Sequence, residues 1–136
     1  MFWFSNEDVV SIFQNYLEKR DCEQDEWIFR QGDQADCIYI LEKGQASIYL
    51  ELGDGKTKRL AKVDEGAVVG EMGVYRKIIR SASFRSDKKC SFYILSAPNL
   101  DKMKEEHPDT AAIFHKFVAC LLSDRLSHSN AIIAEM

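Results

Sequence analysis

Between residues 27 and 96 the chain alternates short stretches of β-branched and aromatic residues with turn residues, and this pattern restricts the fold more than any other feature. Apolar residues recur there at every second position, as they do in half-buried strands. The strongest turn signal is Asp54-Gly55, because both central residues of a type I′ hairpin turn need a positive φ. Turns recur about every 8 to 12 residues without strand-helix-strand alternation, which predicts an antiparallel sandwich or jelly roll. The expected strands are 27–29, 37–41, 46–52, 58–63, 68–69, 82–85 and 91–95.

Helical periodicity flanks this strand region on both sides. Ser5 is the expected N-cap of a first helix, whose apolar residues recur at helical spacing and which ends in the charged segment 18–20. Pro98 predicts the start of a second helix, and His107-Pro108 interrupts the pattern before a long amphipathic stripe. The sequence therefore predicts a mainly β fold with one N-terminal helix and two or three C-terminal helices.

Length and composition are typical of one globular domain. The 136 residues are 46% apolar and 29% charged, which is enough for one packed core and leaves no room for a second. We expect a single domain over 1–136, made of an N-terminal helical part (1–26), a β-roll (27–96) and C-terminal helices (97–136).

The charge balance and the apolar pattern argue against several classes of protein. Eighteen Lys and Arg against 22 Asp and Glu give a net charge of -4, which disfavours a nucleic-acid partner. No apolar stretch reaches the ~18 residues of a membrane-spanning helix, so we expect no direct membrane insertion. The four cysteines form no C-x-x-C pair, which favours reduced thiols and a cytoplasmic location.

The segment from Gly66 to Ser83 departs from the strand pattern around it. Its three glycines permit tight turns and close approach of another group, and Met72–Tyr75 is long enough for one helical turn. A short helix that opens after glycine presents free N–H groups, which in outline make an anion site. The planar guanidinium of Arg80 can hold two phosphate oxygens, whereas the Glu71 carboxylate only accepts and suits a sugar hydroxyl.

In this segment the chain resembles the cyclic-nucleotide-binding domain family, whose phosphate-binding cassette reads G-E-L-A, then P-R-x-A after a short gap. Gly70-Glu71-Met72-Gly73 and Arg80-Ser81-Ala82 stand at that spacing. The resemblance extends to 29–33, 39–44 and Gly66, so it covers nearly the whole chain. It implies an antiparallel β-jelly-roll, also called a double-stranded β-helix.

The same resemblance implies a ligand and a role for each residue of the cassette. Glu71 would bind the ribose 2′-hydroxyl, Arg80 would bind the cyclic phosphate, and backbone amides near Gly70, Gly73 and Ala82 would complete the anion site. Ser81 stands where many cGMP-preferring relatives carry Thr and many cAMP-preferring relatives carry Ala. We expect cAMP as the ligand, cGMP as the alternative and no metal. The expected ligand-binding residues are Gly70, Glu71, Met72, Gly73, Arg80, Ser81 and Ala82.

Two residues depart from the family pattern. Ile79 replaces the usual Pro and gives up its fixed φ, and Gly73 replaces the usual Ala and is expected to loosen the cassette helix. Both changes predict a modest affinity. For Glu42 two interpretations stay open: it braces Arg80, or it is an exposed turn carboxylate.

The C-terminal tail resembles the version of this domain at the cytoplasmic end of bacterial sulfate-permease-family transporters. This implies that the rest of a larger transporter or effector chain is a partner. In the family a C-terminal helix folds over the base, which makes Ile132, Ile133 and Met136 candidates for contact with the purine; ordinary packing is the plainer alternative. The matching residues are Glu106-His107-Pro108, Ala111-Ala112, His115, Leu121-Leu122, Arg125-Leu126 and Asn130.

No catalytic set is apparent in the sequence. The three histidines fall in the helical tail rather than on strands, which argues against a cupin-type metal enzyme, and neither G-x-S-x-G nor a P-loop lysine occurs. The leading hypothesis is a non-enzymatic regulatory module that binds a cyclic nucleotide and shifts its C-terminal helices. The alternative is a degenerate domain for interaction or oligomerisation, with Phe2, Trp3 and Phe4 in the contact surface.

Overall fold

The computed structural model describes residues 7–135, with side chains described over residues 7–124. Expectations that concern the remaining residues or side chains lie outside this range. They are those for Phe2, Trp3, Phe4, Ser5, Arg125, Leu126, Asn130, Ile132, Ile133 and Met136.

The elements follow the predicted order of a helix, a strand region and further helices. They are α1 Glu7–Gln14, β1 Glu18–Cys22, β2 Trp27–Phe29, β3 Cys37–Lys43, β4 Ala46–Gly53, β5 Lys56–Val63, β6 Val68–Val69, α2 Glu71–Arg76, β7 Ser83–Ser86, β8 Cys90–Ser96, α3 Ala97–Glu106 and α4 Pro108–Glu135. Two four-stranded sheets form, in the orders β1-β8-β3-β6 and β2-β7-β4-β5. Every strand pairing is antiparallel, so the predicted fold class, a mainly antiparallel β fold with flanking helices, is confirmed.

The predicted hairpin at Asp54-Gly55 is present between β4 and β5. Gly53 pairs with Lys56, which leaves a two-residue loop. Asp54 has φ 53° and Gly55 has φ 74°, so both central residues have the positive φ that a type I′ turn needs.

The prediction for the first helix was wrong at its C-terminal end. The helix was expected to reach residue 20, but α1 ends at Gln14 and residues 18–22 form β1. β1 pairs along its whole length with β8, and this places Cys22, which is 1% exposed, opposite the equally buried Cys90. Backbone pairing with a neighbouring strand therefore overrides the helical preference of the charged residues 18–20.

Two apolar clusters fix the position of the segment between β6 and β7. One lies between the sheets and contains Leu41, Phe84 and Phe92, each with no exposed surface. The other lies between one sheet and the helices and includes Ile38 and Phe114. β6 is buried and pairs with β3, so it delivers residue 70 to a fixed point at the sheet edge. Over residues 7–135, no helix is both long and apolar enough to cross a bilayer.

Candidate ligand-binding site

A cavity of about 740 Å³ opens beside the short helix α2. Its walls come from the end of β5, the turn into β6, the whole 66–73 segment, the segment 78–82, and Leu121 of α4. A volume of this size is ordinary for a small-molecule site, for which the range is about 300–1,000 Å³. The structure brings the predicted site residues together on the wall of this cavity; they are Gly70, Glu71, Met72, Gly73, Arg80, Ser81 and Ala82.

Arg80 lies at this cavity with only 4% of its surface exposed. Its Nη1 donates to the Gly70 carbonyl at 2.9 Å, and its Nη2 donates to the Cys37 carbonyl at 2.6 Å. The guanidinium stacks over the Phe29 ring, with 4.2 Å from Cζ to the ring centroid. The third donor, Nε, is buried and has no hydrogen-bond partner among the described residues.

The Arg80 guanidinium is held by hydrogen bonds to backbone carbonyl groups and not by an ion pair with a described carboxylate. None of the four ion pairs formed within residues 7–124 includes Arg80. Burial lowers the pKa of the guanidinium from its usual value, yet arginine stays protonated in proteins. Because a buried cation costs free energy unless it is paired, this arrangement favours an anion in the adjoining cavity.

Glu71 is the first residue of α2 and is also 4% exposed. Tyr75 stands one turn further along the helix, on the same face. Burial and, second, the charge of Glu71 raise the pKa of the Tyr75 phenol to about 12. An ionised carboxylate can only accept hydrogen bonds, and Glu71 lines the cavity, so it suits a hydroxyl donor on a ligand.

Gly70 joins β6 to α2 in a conformation that only glycine adopts without strain. Its φ is +88°, and a Cβ at this position would lie 2.6 Å from Nη1 of Arg80. Glycine is therefore needed twice here, once for the turn and once for the close approach of the guanidinium.

The remaining predicted residues occupy the rim. Ser81 and Met72 are exposed, and Ala82 is half-buried at the start of the chain segment that leads into β7. Ile79, which stands where the family usually has Pro, is 55% exposed and forms an isolated bridge with Gln34.

Neither interpretation of Glu42 was right. Its Oε2 lies 3.3 Å from Nζ of Lys19, and its side chain is only 14% exposed. Glu42 therefore holds strand β1 by an ion pair and takes no part in the contacts of Arg80. Strand β8 lies between β1 and β3, so this ion pair crosses β8.

Two functional contacts were not visible in the sequence. The Tyr75 hydroxyl lies 2.9 Å from Nδ1 of His115, which links α2 to α4. From the sequence, His115 was named only as part of the transporter-like tail, and no local pattern pairs it with Tyr75, which is 40 residues away. The second contact is the hydrogen bond that the Cys37 carbonyl accepts from Arg80. Every residue type has a backbone carbonyl, so the sequence does not indicate this contact.

Within residues 7–124, no group of three or more His, Cys, Asp or Glu side chains could hold a metal ion. Three cationic side chains and three acidic side chains line the cavity, and such a set can pair with an organic anion that carries hydroxyl groups; they are Lys62, Arg76 and Arg80, and Asp64, Glu65 and Glu71.

Comparisons with known proteins place this chain among its relatives. Over 134 residues the chain is 28% identical to the potassium/sodium hyperpolarization-activated cyclic nucleotide-gated channel 1 of Oryctolagus cuniculus. The match covers 97% of this chain but only 14% of the channel. The chain thus corresponds to a small part of the length of such relatives.

Solved structures show the same fold. A cyclic nucleotide-binding domain from Methylobacillus flagellatus superposes with a TM-score of 0.88 at 22% identity, covering 100% of this chain and 77% of that chain. The cAMP-bound form of the EAL enzyme Bd1971 matches with a TM-score of 0.58 at 27% identity, covering 82% of this chain and 30% of that one. A family model described as cyclic nucleotide-binding domain matches residues 19–107. Because that match spans well over half of its residues, the chain belongs to the cyclic nucleotide-binding domain family.

Proposed function

We propose that this chain is a regulatory module that binds a cyclic nucleotide in the cavity beside α2, with cAMP favoured over cGMP. The observation that carries the proposal is Arg80, a buried cation at the cavity wall that forms no ion pair within residues 7–124. In this proposal the cyclic phosphate is the ion-pair partner of Arg80.

The second half of the ligand is matched by Glu71. A ribose hydroxyl needs an acceptor, and the buried Glu71 carboxylate offers one on the same cavity wall. In this proposal the phosphate pairs with Arg80 and the ribose hydroxyl pairs with Glu71, in the same cavity. Support also comes from the known proteins, because Bd1971 has been solved in cAMP-bound and cGMP-bound forms.

The remaining predicted residues take supporting roles in this proposal. Backbone N–H groups near Gly70, Gly73 and Ala82 complete the phosphate contacts, Met72 contacts the ligand at the rim, and Ser81 faces the base. The preference for cAMP rests on Ser81, which has the hydroxyl of threonine without the methyl group that restricts its rotamer. We expect a modest affinity because Ile79 lacks the fixed φ of proline.

Regulation would act through α4. Leu121 of this helix lines the cavity, and His115 of the same helix contacts Tyr75 of α2, so ligand and helix share one wall. A ligand that binds one placement of α4 better than another shifts the population toward it. In this proposal residues 1–136 are one non-enzymatic, cytoplasmic domain that controls a larger protein such as a membrane transporter.

Isothermal titration calorimetry with cAMP, cGMP and 5′-AMP tests the proposal. We expect both cyclic nucleotides to bind and 5′-AMP to bind much more weakly. The phosphate of 5′-AMP is a dianion and is not part of a ring, whereas the cyclic phosphate is a monoanion within a ring. If neither cyclic nucleotide binds, the proposal is wrong and the alternative, an interaction or oligomerisation module, takes its place.

A further inference from the structure

The loop between β2 and β3 holds the far end of the 66–83 segment at several points. We call residues 32–37 the 32–37 loop. Gly32 N donates to the Arg80 carbonyl at 2.9 Å, and Arg80 N donates to the Asp33 carbonyl at 2.8 Å. The Cys37 carbonyl, at the end of the loop, accepts from Nη2 of the same arginine. Both the backbone and the guanidinium of Arg80 are therefore fixed by this loop.

The same loop touches the opposite end of the segment through one pair of small residues. A Cβ built on Gly73 would lie 2.5 Å from Cβ of Ala35, closer than real Cβ atoms come, and 3.5 Å from Nη1 of Arg80. Gly73 lies inside α2 and is not among the glycines with positive φ. Its lack of a side chain is thus required by space and not by backbone conformation.

This contact changes the structural role that we assign to Gly73. Glycine inside a helix lowers stability relative to alanine, and the sequence pattern indicated only that loss. The Ala35 methyl group is attached directly to the backbone, so it cannot turn away from a new methyl group at residue 73. The whole loop would have to withdraw, and with it the carbonyl groups that hold Arg80.

We infer that Ala35 and Gly73 are a matched pair of positioning residues that sets the distance between the 32–37 loop and α2, and thereby holds Arg80 in place to receive the anion. The inference rests on the proposed function for the identity of the anion. Its structural part concerns the position of Arg80 alone. The bond from Arg80 N to the Asp33 carbonyl and the bridge from Gln34 to Ile79 also tie residues 79 and 80 to this loop.

A double-mutant cycle on cAMP binding tests the pair. Gly73→Ala should weaken binding by about tenfold or more, and Ala35→Gly alone should stay within about threefold of wild type. The double variant should return to within about threefold of wild type, because the methyl group has moved from one side of the contact to the other. Unchanged binding in Gly73→Ala, or a double variant as weak as Gly73→Ala, would overturn the inference.

A second measurement separates this inference from the proposed function. In ¹H–¹⁵N spectra of the ligand-free protein, the Nε–Hε signal of Arg80, assigned by its loss in Arg80→Lys, reports the guanidinium directly. It should shift in Gly73→Ala and return in the double variant. If the wild-type protein binds no cyclic nucleotide, the proposed function is wrong. The Nε–Hε signal still tests whether Ala35 and Gly73 position Arg80. The Gly73→Ala variant could fail to fold. In that case the inference requires that the double variant folds, and a double variant that also fails to fold would refute the contact.

Discussion

Two arginines stack on aromatic rings of the same strand, β2, but differ in what their guanidinium groups bind. Arg30 lies over Trp27 with 4.5 Å from Cζ to the ring centroid, and Arg80 lies over Phe29 at 4.2 Å. Arg30 is half-exposed and forms a two-point ion pair with Glu51. Arg80 is buried and bonds only backbone carbonyl groups.

The difference separates a structural arginine from the arginine that we propose binds the ligand. Glu51 satisfies Arg30 within the fold and also accepts from Ser83, so the Arg30 cluster is complete without a ligand. Arg80 forms no ion pair within residues 7–124 and lies at the wall of a cavity, where a bound anion would be its partner in our proposal. Residue type and ring stacking are the same in both places; the partner of the charge distinguishes them.

Arg80→Ala should give the largest effect, a loss of cAMP affinity of roughly thirtyfold or more. The loss of a buried charge-assisted contact costs about 2 to 5 kcal/mol, and ~1.4 kcal/mol corresponds to tenfold in affinity. The fold should remain, because removing an unpaired buried charge leaves no carboxylate behind. Titration calorimetry and circular dichroism on the same sample measure both quantities.

Arg30→Ala is the matched control for that variant. It removes an arginine from the same strand and from a similar ring, yet it should leave cAMP affinity within about twofold of wild type. If the two arginine variants lost affinity equally, the distinction between the two clusters would be wrong.

Glu71→Gln should weaken cAMP binding by less than Arg80→Ala does, by roughly five- to tenfold. The amide oxygen still accepts from the ribose hydroxyl, and only the charge assistance is lost. A 2′-deoxy analogue of cAMP should show little further loss in this variant. Calorimetry with both ligands on both proteins gives the cycle, and fully additive losses would argue against a direct contact.

The sequence was most informative where chemistry depends on side chains at fixed spacing. Glu71 and Arg80 were identified from their residue types and separation, and the structure brings both to one cavity. The limits of β2 and β6 also agree with the alternating pattern. The strand β1 was missed because its pairing with β8 is a tertiary effect that the local charge run conceals.

Contacts made by backbone atoms could not be predicted from the sequence. The Cys37 carbonyl that accepts from Arg80 is present in every residue type, so nothing marks this position. Gly73 was interpreted as a loosening of α2, since a missing side chain shows no partner; the partner, Ala35, lies in another loop. The sequence therefore predicted the side chains that donate or accept hydrogen bonds at the site. It did not predict the close backbone and Cβ contacts that position them.

Glu51→Gln should lower stability without changing ligand affinity by more than about twofold. Arg30 and, second, Ser83 lower the pKa of Glu51 from 4.5 to about 2. A depressed carboxyl pKa contributes stability above the unfolded value, and this contribution is lost as pH falls through the folded value. The gap in urea midpoint between wild type and variant should therefore be full above pH 4.5 and close toward pH 2. A gap that stays constant over this range would show that the ion pair contributes nothing.

Ser81→Ala should give the smallest effect, because this side chain is exposed on the rim of the cavity and not buried beside the phosphate position. We expect cAMP affinity to change by only about 0.3 kcal/mol, which is the scale of a solvated hydroxyl, since adenine has no amino donor at that position. Affinity for cGMP should fall more, because the guanine amino group can donate to the Ser81 hydroxyl. Titrations with both nucleotides on both proteins decide the point. An equal loss for the two would place Ser81 with Arg80 in the phosphate contacts, and no loss for either would place it outside the ligand altogether.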